Sequence, residues 1–169
     1  LELPNGLILS RHTGGKSFLS DPVSERIVFQ FASNGWFDGG TPVLDTARST
    51  VWVIGGYSGV LAIRYDLNKP TLSPDLQVVT ADRMPDGFKG NVGAELHGPS
   101  GKLLLWNGAR RTAIFDPAMK AFEVHSNARS AAGPTKGGSA GVFTKWRYVP
   151  EADVFVGHDN HRQDVWLYR

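Results

Sequence analysis

Val51-Trp52-Val53-Ile54-Gly55-Gly56-Tyr57, followed after two residues by Val60-Leu61-Ala62-Ile63-Arg64-Tyr65-Asp66, is the stretch that decides the fold. Two short apolar runs flank a double glycine. The runs are dominated by β-branched and aromatic residues, which fit an extended, half-buried backbone. Glycine gives the positive φ that a tight antiparallel connection needs. The stretch reads as a β-hairpin, and neither arm is long enough for a helix.

The same punctuation recurs outward from it. Ile27–Phe31, Leu76–Val79, Lys102–Trp106, Thr112–Phe115, Ala121–Val124, Val154–Val156 and Val165–Tyr168 are short apolar runs bounded by Gly, Pro, Asp, Asn or Ser. No long window carries a helical stripe. The best attempt, residues 109–125, is broken by Asp116-Pro117. The chain therefore reads as all-β, with ten to fourteen strands.

The runs also repeat. A short strand leads to a turn built on Asp or Pro, then to an apolar strand ending in Gly or Asn, then to a strand with an aromatic. The apolar second strand starts at 27, 51, 102 and 154. The last two steps, of 51 and 52 residues, are close to a four-stranded propeller blade of roughly 40–50 residues. The first step, of 24, is short. A single domain over 1–169 is expected, with repeats near 17–36, 41–82, 93–128 and 142–169. The run at 6–10 is placed to close the last of them.

On these residues the chain resembles the kelch and galactose-oxidase-like β-propellers. The carriers are Val51 to Tyr57 with its double glycine, and the strand ends Tyr65-Asp66 and Phe115-Asp116-Pro117. The resemblance implies a β-propeller-like fold of about four blades of antiparallel sheet, or the C-terminal part of a larger propeller. It implies ligand binding through the loops that connect blades. The copper chemistry of galactose oxidase does not follow, because it needs a cysteine cross-linked to tyrosine and this chain has none.

Composition narrows the function. The 169 residues hold 18 Lys plus Arg against 16 Asp plus Glu, a net charge of +2. That balance gives no electrostatic case for nucleic acid. At 41% apolar residues the chain can build a core. Gly and Pro, at 20 and 10, exceed the average usage of roughly 12% and point to many turns. Without cysteine, disulfides, thiolate zinc sites and a thiol nucleophile are excluded. No apolar run reaches the ~18 residues of a membrane span. The first residue, Leu1, is what a processed chain or an excerpt of a longer one would show. An extracellular or cell-surface location is the expectation, and no cofactor or metal is expected.

Three groups of residues carry possible chemistry. Gly157-His158-Asp159-Asn160-His161 is the densest polar cluster; it suits a general base with an orienting acid, a metal, or a solvated turn in which Asp and Asn fill the left-handed positions. His97 ends a strand at Gly98-Pro99, as if at a rim. Arg110-Arg111 sit in a hairpin turn, and Arg147 lies between Trp146 and Tyr148. A guanidinium beside aromatic rings suits an acidic sugar, one pairing the carboxylate and the other stacking on the ring. The alternative for 146–148 is strand alternation, with Trp146 and Tyr148 in the core and Arg147 outside. Trp36-Phe37-Asp38 in a glycine loop, and Tyr57, complete the candidate contacts.

Two classes of function follow. One is a recognition module whose blade-connecting loops bind a glycan or protein partner, with Trp36, Asp38, Tyr57, Arg110, Arg111, Trp146, Arg147 and His161 as contacts. The other is a polysaccharide lyase acting on uronic acids, with His97, His158 and Tyr148 as the catalytic candidates and arginine neutralising the developing charge. A structural fragment that self-associates or joins the remainder of a longer chain is a third expectation, since open sheet edges need cover.

Overall fold

The computed structural model describes residues 1–12, 16–32, 40–56, 59–66, 68, 76–90, 92–108, 111–126, 146–158 and 165–169. It is all-β. Among the described residues fourteen strands form four antiparallel sheets, each a meander in chain order. The first sheet holds β1 (Ile8–His12), β2 (Lys16–Asp21) and β3 (Arg26–Ala32). The second holds β4 (Gly40–Asp45), β5 (Thr50–Gly55), β6 (Gly59–Arg64) and β7 (Leu76–Val79). The third holds β8 (Gly93–His97), β9 (Lys102–Trp106), β10 (Arg111–Asp116) and β11 (Ala121–Ser126). The fourth holds β12 (Trp146–Val149), β13 (Val154–Gly157) and β14 (Trp166–Tyr168). The only helical element among the described residues is a 3-10 turn at Ala81–Arg83.

Strand alternation gives each middle sheet two apolar faces. In the second sheet Val51, Val53, Leu61 and Ile63 point one way and pack on Leu9 and Leu19 of the first sheet. Trp52, Ile54, Val60 and Ala62 point the other way, against Ala94, Leu103, Leu105, Ala113 and Phe115 of the third. The third sheet's other face, Leu104, Trp106 and Ile114, meets Trp146, Phe155, Tyr148 and Tyr168 of the fourth. Three cores thus join four sheets in sequence. No core joins the fourth sheet to the first among the described residues. β8, the first strand of its sheet, lies against both β4 and β12, the first strands of the sheets on either side.

The repeat is cleaner than the sequence spacing suggests. Residues 1–3 fold back on β1: Glu2 bridges Ile8, and the Leu9 amide donates to the Leu1 carbonyl at 2.8 Å. The first sheet therefore has its own short first strand, and β1 is its second. Second strands then begin at Ile8, Thr50, Lys102 and Val154. The turn before each carries one residue at positive φ: Gly6 at 80°, Ser49 at 48°, Gly101 at 64° and Asp153 at 49°. Ile27, read from sequence as opening a second strand, belongs to the last strand of its sheet. That explains the short step of 24: from last strand to next second strand is 24 residues for Arg26 to Thr50 and 26 for Leu76 to Lys102. The expectation that residues 6–10 close the last sheet is corrected by the same pairing. Ile8 pairs with Ser20 and His12 with Lys16, so this segment is committed to the first sheet.

One core group is poorly matched. The Tyr65 hydroxyl is buried without a hydrogen-bond partner among the described residues, and burial together with nearby Asp45 pushes its pKa up. An unsatisfied buried polar group costs roughly 1–3 kcal/mol. Tyr65→Phe is therefore expected to raise stability by about 1 kcal/mol, read from urea denaturation; a loss of stability would show that the hydroxyl is satisfied in solution.

Candidate functional site

The turn ends of the third and fourth sheets meet at a polar cluster. His97 is the last residue of β8, and the turn after it is locked by Ser100, whose Oγ accepts the Lys102 N–H at 3.3 Å and lies 2.7 Å from His97 Nδ1. Asp153 is the positive-φ residue of the turn between β12 and β13. This places its carboxylate 3.2 Å from His97 Nε2, across 56 residues of chain. The Tyr148 hydroxyl donates to the same carboxylate oxygen at 2.8 Å. The contacts fit one tautomer, with Nε2–H donating to Asp153 and Nδ1 accepting the Ser100 hydroxyl.

Aromatic packing holds the cluster from behind. His97 meets Tyr148 edge-on at 4.9 Å and Phe155 at 6.0 Å. Phe155 stacks on Trp146 at 5.4 Å, and Trp146 packs on Trp106 at 5.3 Å. Gly157 permits that last contact, because a Cβ there would lie 2.8 Å from Trp106 and 2.9 Å from Trp146. In front is a cleft of about 260 Å³, lined by His97, Lys102, Asp153, Phe155, Tyr168 and Arg169 among others. Its floor is apolar and its rim carries two cations. Lys102 pairs with Asp116 at 3.2 Å, and Arg169 donates to the Ala152 carbonyl at 3.3 Å.

The hydrogen bonds from Tyr148 and His97 hold the Asp153 carboxyl below its ordinary 3.8. Burial, then the bond to Asp153, pushes the Tyr148 hydroxyl above 10.0. Because Asp153 is lowered on folding, its contribution is present above about pH 3.8 and is lost as the pH falls through the lower folded value. Asp153→Asn should therefore melt below the wild type at pH 7 and converge with it in stronger acid. Equal melting temperatures at pH 7 would show that the contact carries no stability.

The sequence candidates scatter. His97 and Tyr148 come together, with Asp153, Ser100, Lys102, Tyr168 and Arg169 added by the fold. His158 does not join them: it follows Gly157 at the far end of β13, about 16 Å from the Asp153 turn at ~3.3 Å per residue. Trp146, read as a sugar contact, is 2% exposed, its indole donating to the Leu104 carbonyl at 3.2 Å. Its ring faces neighbouring rings, so alternation wins at this position. Arg147 is on the opposite face, yet its guanidinium reaches Glu95 of β8 at 3.3 Å. Burial raises the Glu95 pKa, and Arg147 opposes the rise. Arg111 donates to the Asp86 carbonyl at 3.0 Å and ties down the segment before β8. Trp36, Asp38, Tyr57, Arg110 and His161 lie outside the described residues.

Asp153 was missed because Asp at a turn already has a sufficient local explanation. Only the match between its turn and the His97 turn, one repeat earlier, could have flagged it. Among the described residues no helix is long and apolar enough to cross a membrane. No protein-family model and no curated protein matches the chain.

Proposed function

We propose that the chain is a propeller-type recognition module that binds a glycan in the cleft between its third and fourth sheets. The arrangement of the first strands supports the propeller reading: β4, β8 and β12 lie side by side while each sheet stacks on the next, as sheets set radially about an axis do. The observation that carries the glycan reading is the cleft itself. It has an apolar floor with Tyr168 and Phe155, a cationic rim of Lys102 and Arg169, and a hydrogen-bonding wall of His97 and Asp153. Its volume of about 260 Å³ suits one sugar unit rather than a long chain. A glycan ligand fits an extracellular or cell-surface protein.

Titration calorimetry against the hits of a glycan array tests this. Binding that Tyr168→Ala weakens at least about tenfold, the ~1.4 kcal/mol scale of a ring contact, supports it. A folded protein that binds no glycan overturns it.

The shared carboxylate of His97 and Tyr148 favours a second reading, a lyase on uronic acids. His97 Nδ1, on giving up the Ser100 hydroxyl and with Nε2–H held by Asp153, would take the proton beside the sugar carboxylate as the glycosidic C–O bond breaks, and the departing oxygen would take up a proton from water. The product carries a new C=C bond that absorbs in the ultraviolet. The cations at hand would be Lys102 and Arg169, which line the cleft, whereas Arg147 and Arg111 do not. Absorbance growth on a uronate polymer that His97→Ala abolishes supports this reading, and glycan binding without it leaves recognition alone.

A further inference from the structure

The crevice between the second and third sheets shows how the cleft is closed one repeat earlier. Second strands begin at Thr50, Lys102 and Val154, so residues 52 apart hold equivalent places around these turns. In the earlier crevice Trp52 is 6% exposed. Its ring meets Phe115 edge-on at 5.9 Å, and its Nε1–H donates to Asp45 at 3.1 Å. The Arg48 guanidinium crosses to the next turn, where a Cβ on Gly101 would lie 2.9 Å from it. One repeat later His97 stands at the place of Asp45, Ser100 at that of Arg48, Asp153 at that of Gly101 and Leu104 at that of Trp52. Tyr168 stands at the place of Phe115, since each pairs with the equivalent second-strand residue, Phe155 and Leu103. The polar bridge is kept with its direction reversed: the acid now comes from the later sheet, and Asp153 reaches back to His97 at 3.2 Å. The indole has no counterpart among the described residues. All five replacements line the cleft.

We infer that the cleft is the vacated place of that indole, and that it takes the terminal sugar of a glycan, ring first. This rests on the glycan reading above and narrows it to chain ends. The His97–Asp153 contact bridges the crevice on the side of the first strands. Leu104 and Phe155, 5% and 6% exposed, close its floor over Trp106 and Trp146. A chain therefore cannot thread through, whereas a single ring can seat at the end of one. The apolar face of that ring covers Leu104 and Phe155, as the indole covers its own neighbours one repeat earlier. Tyr168 offers it the contact that Phe115 makes with Trp52. His97 and Tyr148 both bond Asp153 through Oδ1. Among the described residues this leaves Oδ2 to accept a ring hydroxyl, as Asp45 accepts the indole N–H.

Titration calorimetry on the intact chain tests this. The ligands are each glycan that binds on an array, the same glycan capped by one further sugar of a different kind, and the methyl glycoside of its terminal sugar. The wild type is expected to bind the uncapped glycan, to be competed by the methyl glycoside, and to lose at least about tenfold in affinity on capping. Leu104→Trp, which puts the indole back, is expected to abolish binding in a protein that circular dichroism shows to be folded. A wild type that binds capped and uncapped glycans equally overturns the inference and leaves glycan recognition standing. So does a folded Leu104→Trp of unchanged affinity. A wild type that binds no array glycan overturns the recognition reading itself, and this inference with it. If Leu104→Trp proves unfolded, the comparison of capped with uncapped glycan on the wild type decides.

Discussion

Trp146→Ala is expected to lower stability by about 3–5 kcal/mol, the range for truncating a buried large aromatic. The indole is 2% exposed and joins two sheets. It touches Trp106 on one side and Phe155 on the other, and its Nε1–H donates to Leu104. Removing it opens a cavity at the single core between the third and fourth sheets. The surrounding strands are held by ladder hydrogen bonds and collapse only partly. For a chain of this length the loss should lower the melting temperature by about 10 °C. The effect should also be local: the cleft behind Phe155 loosens, so ligand affinity falls with stability. Trp146→Phe, which keeps a ring, should lose much less. Gly157→Val tests the same contact from the other side, since its side chain would push the two indoles apart. A loss under about 1 kcal/mol for Trp146→Ala would mean that the fourth sheet does not sit on the third in solution.

Asp45→Ala is expected to cost about 3 kcal/mol, the low end for breaking a buried charged pair, because its partner Arg48 is partly in water. The Asp45 carboxylate is fully buried at the start of the turn between β4 and β5. One oxygen accepts the Arg48 amide at 3.1 Å. The other accepts the Arg48 guanidinium at 2.6 Å and the Trp52 indole N–H at 3.1 Å. Alanine would leave that indole donor buried without an acceptor, while Ser49 must still hold its positive φ. Asp45→Asn keeps an acceptor and should lose about half as much. Because the group is buried, added salt should not remove the difference from wild type. Urea denaturation of the three proteins at low and high salt checks both statements.

Much of the scaffold is legible in the sequence. Val51–Ile54, Val60–Tyr65 and Lys102–Trp106 announce strands because both alternate residues are apolar, and the structure buries both faces of each. Asp116-Pro117 marks the turn that breaks the one helix-like window, and β10 and β11 pair across it. The first sheet is misread for a physical reason. Leu1–Leu3 is too short to show a period, so the eye takes the strong run at Ile27 for the strand that belongs at Ile8. Positive φ at Glu25, Ser49 and Lys120 is equally silent, because none of these is the Gly, Asn or Asp that such turns favour.

The site is much less legible. Alternation says which face a residue takes, and it settles Trp146 against Arg147. It does not say which turn will lie against which. His97 and Asp153 are joined by sheet stacking, and so are Glu95 and Arg147, 52 residues apart. Such contacts follow from the repeat length together with the twist between sheets, and neither is written in any local motif.

Cross-linking in the cysteine-free chain tests the stacking most directly. A short bismaleimide applied to E95C/R147C is expected to link the first strands of the third and fourth sheets within one chain. Applied to I27C/L167C, it is expected to give no link within one chain, because no core joins the fourth sheet to the first among the described residues. No internal link in the first variant, or a link within one chain in the second, would contradict an open arc of four consecutively stacked sheets.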